Sequence, residues 1–301
     1  MIKHAYMIMA HDQFELLSIL IKMLDDPRND IFLHIDKKAK DFKAEELKQS
    51  VKYSKIIFTE RISVTWGDFS VVKAEMLLLK KAVENENAQV RYSYFHLLSG
   101  SDLPLKTNDE IHDFFNKNNG KEFIHFSESG EALAAISRIR YYHLFRSKRN
   151  LVCKILAQAV LKIQKALKIN RLKGRNIKIS KGSEWFSITG EFAHYLVENM
   201  TELQKMFRFS YCADEVFIQT AVINSSFCNH LFMPNCNDDQ FAAARYIDWT
   251  RGAPYVFRSS DFNDLISSPA MFARKFSLHV DKDIVYRLNC FIEGKNNGIK
   301  L

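Results

Sequence analysis

The chain has 301 residues, of which 47% are hydrophobic, and a formal net charge of +8. This length and apolar content can bury the core of one large domain or two closely joined ones. With only ten glycines and five prolines, the composition excludes a fibre or a disordered chain.

The cysteines argue against a disulfide framework or a structural zinc site, because they are odd in number and lack CxxC spacing. They are Cys153, Cys212, Cys228, Cys236 and Cys290. A reducing compartment fits them better. The opening MIKHAYMIMAHDQF has no signal-peptide pattern, and no run of about 18 apolar residues follows. We therefore expect a cytoplasmic protein.

Strands and helices alternate along the first half. HAYMIMA predicts a strand, and the helix after it has Asp12 as its predicted N-cap. NDIFLHI, KIIFTE and YSYFHLLS predict further strands, VVKAEMLLLKKAVE a helix, and NDEIHDFF a helix capped by Asn108. The alternation indicates an α/β sheet with helices on both faces, in which ligands bind beyond the carboxyl ends of the strands.

Three polar clusters fall at such strand ends: His34–Asp36, Arg61–Trp66 and Ser99–Asp102. Each cluster is either an ordinary turn or part of a ligand site. In the second half, KGSEWFSITGEFAHYLVEN predicts a strand and then a helix, and CADEVFIQTAVINS a helix that starts near its acidic pair.

The segment 137–182 contains fourteen Lys or Arg residues and no Asp or Glu. Within it, residues 151–169 have apolar residues at helical spacing, with lysines on the opposite side. Such a helix either packs on the core or lies on an anionic membrane, and we expect any membrane contact at 138–176. Nucleic-acid binding is not expected, because no interleaved aromatic motif accompanies the charge.

Several chemistries are excluded by missing motifs, namely HExxH, GxxxxGK[ST], GxGxxG and GxSxG. A DxD at the end of a predicted strand, which would hold a metal and a nucleotide-sugar, is also not found. In the stretch YCADEVFIQT, Asp214 and Glu215 lie among apolar residues. This pattern leaves three roles open for the acidic pair, namely a helix cap, a metal ligand or a catalytic base. Carboxylates near aromatic residues suit sugar chemistry, although this pattern alone indicates little more than an α/β protein.

Six stretches occur in the order found in one known family: IFLHIDKK, ISVTWGDFSVVKAEMLLL, YFHLLSGSDLPLKTNDEI, GSEWFSIT, ADEVFIQT and FARKF. Over residues 4–290 the chain thereby resembles the core-2/I-branching β-1,6-N-acetylglucosaminyltransferases of glycosyltransferase family 14, which include the peptide O-xylosyltransferases. GSEWF and FARKF resemble the xylosyltransferase branch more closely. The length, without stem, anchor or disulfides, resembles a bacterial member.

This resemblance implies a GT-A-like glycosyltransferase fold with a central mixed, mostly parallel sheet and helices on both faces. It implies one domain over 1–301. In that domain 1–130 form the nucleotide-binding half, 131–182 a basic helical insertion on the acceptor side, and 183–301 the acceptor and catalytic half. The implied activity is inverting transfer from a UDP-sugar, without a metal or another cofactor.

The resemblance also assigns roles to residues. Glu215 matches the general base that deprotonates the acceptor hydroxyl, and Asp214 is a cap or a positioning group. Lys275 matches the lysine that binds the donor diphosphate, and Arg251 is a second cation for that task. The remaining implied residues are Glu184 and Trp185 on the acceptor side, and His11, His34, Asp36, Arg61, Trp66 and Asp102 on the donor side.

The implied partners are a UDP-sugar donor and an oligosaccharide or lipid-linked glycan acceptor in bacterial surface polysaccharide synthesis. N-acetylglucosamine is the family's commonest donor sugar, and xylose or another sugar is an alternative. Taken singly, each of the assigned residues also fits a purely structural role, such as an acidic residue at a helix end, a surface cation or a core tryptophan. For the chain as a whole, the alternative is a non-catalytic glycan- or nucleotide-binding module.

Overall fold

The structure is a computed structural model that describes residues 1–145 and 150–296, apart from the side chains of residues 129–134. Its strands are β1 Ile2–Ala10, β2 Asn29–Ile35, β3 Lys55–Phe58, β4 Arg91–Ser99, β5 Asp102–Pro104, β6 Phe123–Ile124, β7 Phe186–Thr189, β8 Arg245–Ile247 and β9 Phe272–Arg274. Its helices are α1 Phe14–Met23, α2 Ala44–Lys48, α3 Ser70–Glu84, α4 Asn108–Lys117, α5 Ser129–Arg140, α6 Leu151–Ala166, α7 Gly190–Glu198, α8 Met200–Phe207, α9 Phe217–Ile223, α10 Asp239–Ala242, α11 Phe262–Ser267 and α12 Lys282–Asn296.

The larger sheet has the strand order β3-β2-β1-β4-β7-β6. Strands β1 to β4 run parallel, while β7 runs antiparallel to both of its neighbours. A smaller sheet, β5-β9-β8, lies beside it. The predicted mixed, mostly parallel sheet is therefore confirmed, and the one reversed strand brings the start of β7 to the edge where the parallel strands end.

Helices cover both faces of the larger sheet, as predicted. Alternate residues of a strand point to opposite faces, so Tyr6 and Ile8 of β1 join one core with α1 and α12. Ala5 and Met7 join the other core, with α3 and α7. Because both faces of β1 are buried, its sequence reads as a continuous apolar run.

Two predicted helix caps are wrong. Gln13, and not Asp12, precedes α1, and its side-chain oxygen accepts hydrogen bonds from residues 277 and 278. Thr107, and not Asn108, caps α4, in a capping box with Glu110. The Asn108 side chain instead donates to the carbonyl oxygen of Met23 at 3.0 Å, a long-range contact that the local pattern does not reveal.

The basic amphipathic helix predicted in 151–169 is α6, and it does not pack on the core. Most of its apolar side chains are exposed, and Gln164 is its buried residue. The core-packing alternative is therefore wrong. Across residues 1–145 and 150–296, no helix is long and apolar enough to cross a membrane.

Candidate active site

The carboxyl ends of β1, β2 and β4 meet at one edge of the larger sheet. A cleft of about 340 Å³ opens there, which we name the strand-end cleft. Its walls include His11, His34, Asp36, Trp66, Glu184, Trp185, Asp214 and Arg274. Four residues predicted on the donor side thus lie together with both residues predicted on the acceptor side.

A second cleft of about 460 Å³ adjoins the first, and we name it the Glu215 cleft. Its walls are formed by His125, Ser127, Glu128, Lys181, Gly182, Ser183, Glu184, Trp185, Glu215, Asn237, Asp239 and Trp249. Glu184 and Trp185 belong to both clefts. A group bound in one cleft therefore lies next to a group bound in the other.

Glu215 is held by two cations of the basic segment. It lies in a 3₁₀ turn, Ala213–Glu215, and its side chain is 34% exposed. Its Oε2 accepts a hydrogen bond from Nη1 of Arg138 at 2.6 Å, and Nζ of Lys181 lies 3.7 Å from the same oxygen. The charge-assisted bond fixes the direction in which the carboxylate faces the cleft.

The main chain of this turn is fixed by an unusually close approach at Gly182. The amide of Gly182 donates to the carbonyl oxygen of Glu215 at 2.9 Å. A Cβ atom at position 182 would lie 1.8 Å from the carbonyl oxygen of His125. Only glycine fits there, so the spacing between the 183–185 segment and Glu215 is set by backbone contacts.

His34, Asp36 and Arg61 organise the loops at the end of β2. Nε2 of His34 accepts from the amide of Ile62 at 3.2 Å, and burial lowers the pKa of this imidazole. The guanidinium of Arg61 donates to the carbonyl oxygens of Asp36 at 2.8 Å and Ala39 at 2.7 Å. Arg61 therefore ties loops together, whereas His34 and Asp36 form part of the cleft wall.

Asp102 and Arg274 form a buried pair at the same edge. Nη1 of Arg274 lies 3.1 Å from Oδ1 of Asp102, and the guanidinium stacks 4.1 Å from the ring centre of Trp185. Asp102, which is 1% exposed, also accepts two hydrogen bonds from Ser99. Asp102 thus positions Arg274, and Arg274 covers one face of Trp185, which was predicted to lie on the acceptor side.

Three carboxyl groups lie close together behind the shared wall. Burial, and then the charge of Asp214, raises the pKa of Glu184 to about 8. Burial and the neighbouring Glu215 raise the pKa of Asp214 to about 6, and burial raises the pKa of Glu75 well above its ordinary value. Glu184 therefore holds its proton at neutral pH and can donate a hydrogen bond to a ligand.

The two predicted diphosphate cations differ in their surroundings. Arg251 bonds Asp261 at 2.7 Å, contacts Asp248, and lies 4.1 Å from the ring centre of Tyr255. Its charge is therefore already neutralised. The ammonium of Lys275, next to Arg274, has no hydrogen-bond or ion-pair partner within the part of the chain that the structure describes.

Three cations of the clefts were not predicted as site residues. Arg138 and Lys181 lay in the segment predicted as a basic helical insertion on the acceptor side, and Arg274 lay in the FARKF motif without a role of its own. A search for cations close in sequence to the motif carboxylates would have found Lys181, and Arg274 lies within the FARKF motif itself, whereas neither signal points to Arg138. Within the described ranges, no group of three or more His, Cys, Asp or Glu side chains is arranged to hold a metal ion.

The family model of the Core-2/I-branching enzymes matches residues 4–264. The chain belongs to the Core-2/I-branching enzyme family. This family is glycosyltransferase family 14, as the ordered motifs predicted. The match therefore supports the prediction that the chain is a glycosyltransferase.

Curated relatives of this Core-2/I-branching family member include Xylosyltransferase 2 of Rattus norvegicus, 24% identical over 98% of this chain, and Xylosyltransferase 1 of Homo sapiens, 22% identical over 87% of it. The chain spans about a third of the length of these relatives, 34% and 27% respectively. Among solved structures, it aligns with mouse Xyloside xylosyltransferase 1 over 91% of this chain and 97% of that one. The TM-score is 0.35 and the sequence identity 10%.

Proposed function

We propose that the chain transfers a sugar from a UDP-sugar to a hydroxyl group of a glycan acceptor, with inversion at the anomeric carbon. The observation that carries this proposal is the shared wall of Glu184 and Trp185. It joins a strand-end cleft suited to a nucleotide-sugar to a second cleft that contains an exposed carboxylate. Inverting transfer needs two adjacent sites of this kind, with the base on the acceptor side.

In the proposed reaction, the acceptor oxygen forms a bond to the anomeric carbon while the bond from that carbon to the diphosphate oxygen breaks. Glu215 takes the acceptor proton, and UDP leaves. Glu184 suits this step less well, because a carboxyl group that is protonated at neutral pH cannot accept the proton. We assign Glu184 to hydrogen bonding with a sugar hydroxyl.

The charge on the leaving diphosphate needs a fixed cation. Lys275 is the best supported candidate, because its ammonium has no partner among residues 1–145 and 150–296. Its sequence neighbour Arg274 lines the strand-end cleft, whereas Lys275 itself is not among the wall residues of either cleft. Protein cations at such a position can replace a metal ion electrostatically. We therefore propose that transfer proceeds without a metal.

For the substrates, we propose UDP-N-acetylglucosamine as the first donor to test and UDP-xylose as the second, since the curated relatives are named xylosyltransferases. The proposed acceptor is an oligosaccharide or a lipid-linked glycan of bacterial surface polysaccharide synthesis, used on the cytoplasmic side of the membrane.

The test is UDP release from a panel of UDP-sugars by the purified chain, with EDTA or with manganese. We expect one donor to turn over slowly in EDTA and faster once a suitable acceptor is added. Activity only with manganese would contradict the role of Lys275. Binding of UDP without any turnover, with every donor and acceptor, would favour a non-catalytic binding module.

A further inference from the structure

Helix α6 presents an apolar stripe to solvent. Six large side chains of the helix and its C-cap are 42–71% exposed: Leu151, Val152, Ile155, Leu156, Ile163 and Leu167. At 100° per residue, they fall together with Ala159 and Ala166 on one contiguous face. An exposed apolar stripe of this length is unusual for a free surface and marks an interaction site.

The helix is fastened to the protein from its other side, by polar contacts. Oε1 of Gln164 accepts from the amide of Tyr142 at 2.8 Å, and its Nε2 donates to the carbonyl oxygen of Tyr142 at 2.9 Å. Further along, Arg171 donates to the carbonyl oxygens of Ile139 at 3.1 Å and Met206 at 2.8 Å. These bonds orient α6 so that its apolar face points outward without needing a protein partner.

The charge around the stripe identifies what covers it. At 100° per residue, Lys162 falls within the apolar face and Lys154 and Lys165 beside it, so the prediction that the lysines lie opposite the apolar residues is wrong. All three lysines are exposed, and the surrounding segment 137–182 contains no acidic residue. A second copy of this segment would bring like charges together, whereas a surface of anionic lipid headgroups complements them. Lysines flanking an apolar stripe can extend to headgroups while the stripe enters the boundary of the acyl chains.

We propose that α6 is an interfacial helix that docks this chain on an anionic lipid bilayer. The helix lies in the plane of the membrane surface and does not span it. The same basic segment supplies Arg138 and Lys181, which hold Glu215. Docking therefore brings the Glu215 cleft toward the membrane, where a lipid-linked acceptor would be presented, and this last consequence rests on the proposed function.

The test is co-sedimentation of the full chain with phosphatidylcholine vesicles, with and without phosphatidylglycerol. Wild type should bind the anionic vesicles at least about tenfold more tightly than the neutral ones and lose binding as salt is raised. The charge variant K154E/K162E/K165E and the apolar variant I155S/I163S should each weaken binding by about tenfold or more. Their thermal unfolding should match wild type, because all five side chains are exposed.

Matched controls change similar groups elsewhere. K40E/K117E/K121E reverses three exposed lysines outside the segment, and M233S/V280S alters two exposed apolar residues. Both should bind like wild type. Wild type that does not bind anionic vesicles, or either α6 variant that binds them at full strength, overturns the proposal. So does sedimentation showing a dimer that the α6 variants abolish without any lipid binding.

The lipid test stands apart from the transferase test. The variant E215Q, inactive if the proposed function is right, should still bind vesicles like wild type. The α6 variants should retain activity on a soluble acceptor and lose it selectively on an acceptor embedded in vesicles. Vesicle binding without any transferase activity would leave the docking helix standing and contradict only the proposed function.

Discussion

Two clusters of buried polar side chains in this molecule differ in their surroundings, since one is enclosed in the core and the other lies beside the clefts. His4, His96 and His112 are sealed within the core: Nε2 of His96 lies 3.0 Å from Nδ1 of His4, and the ring centres of His4 and His112 are 4.0 Å apart. Glu184 and Asp214 line the clefts, and Glu75 is buried close to them.

The two clusters differ in charge and in access to a ligand. Burial lowers the pKa of all three histidines, to about 4 for His112, so they remain neutral and pair with one another and with Ser187 and Asn29. One oxygen each of Glu75 and Asp214 has no hydrogen-bond partner in the described structure, and neither does Nε2 of His4. The histidines are sealed from solvent, whereas Glu184 and Asp214 line a cleft in which a ligand can reach them. We therefore expect changes at the clefts to affect activity and changes at the histidines to affect stability.

The largest expected effect is at Glu215. Glu215→Gln keeps the shape but removes the base, so acceptor-dependent transfer should fall about 10³-fold, with unfolding little changed. Glu128→Gln, in the same cleft, is the matched control and should cost at most about tenfold. Initial rates of transfer measure both. A larger loss in Glu184→Gln than in Glu215→Gln would move the base to Glu184.

The next largest effect distinguishes Lys275 from Arg251 as the cation that binds the donor diphosphate. Lys275→Ala should lower kcat/KM for the donor by about 10²-fold, because it removes an unpaired charge that can meet the diphosphate. Arg251→Ala should cost less activity but about 1–2 kcal/mol of unfolding free energy, since it leaves Asp261 without its partner. Donor kinetics and denaturant unfolding test the pair. The reverse ranking would assign the diphosphate to Arg251.

A smaller effect is expected in the sealed cluster. His96→Leu removes the hydrogen-bond partner of Nδ1 of His4 and one of the two partners of Oγ of Ser187, which keeps its bond from Arg245, and should cost about 2–3 kcal/mol of unfolding free energy. The melting temperature should fall by about 5 °C. Activity per folded molecule should remain within about twofold of wild type. A variant of normal stability that lacks activity would contradict the division between the clusters.

The smallest effect is the dependence of stability on pH, which has opposite signs in the two clusters. The histidine pKa values are lowered, so their contribution is present above the ordinary 6.5 and lost as pH falls toward the value of about 4 for His112. The carboxyl pKa values are raised, so their contribution is present below the ordinary 4.5 of Glu184 and lost as pH rises through about 8. Glu184→Gln should therefore raise the melting temperature by about 3 °C at alkaline pH and have little effect in acid. Equal shifts at both ends of the pH range would contradict this sign.

The regular elements were predictable because their pattern is local. Alternation and apolar runs in β1, β2 and β4, and the 3.6-residue period in α1 and α3, depend only on neighbouring residues. The cap predicted at Asn108 was wrong although the signal was local, because Thr107 and Glu110 three residues later form a capping box. At α1 the residue that precedes the helix is Gln13, whose side chain is held by the distant residues 277 and 278.

Residues of the candidate site could be predicted where they follow the ends of strands. They could not be predicted where they are brought in by contacts between residues far apart in sequence. His34, Asp36 and Glu184 lie in the walls of the strand-end cleft, and their roles in binding stay predictions. Arg138, however, is 77 residues away from Glu215 in sequence, and no local sequence pattern predicts their hydrogen bond. Helices α1 and α6 have similar amphipathic spacing, yet one is buried and the other exposed. Periodicity identifies the apolar face but not what covers it.

The contact at Gly182 limits how the site can change over time. Because position 182 admits no side chain, a library randomised there should return glycine alone among folded, active clones. Wall residues to which no role is assigned can change without altering this backbone contact. Substrate specificity can therefore change through substitutions in the cleft walls, while the distance between the Glu184 segment and Glu215 remains the same.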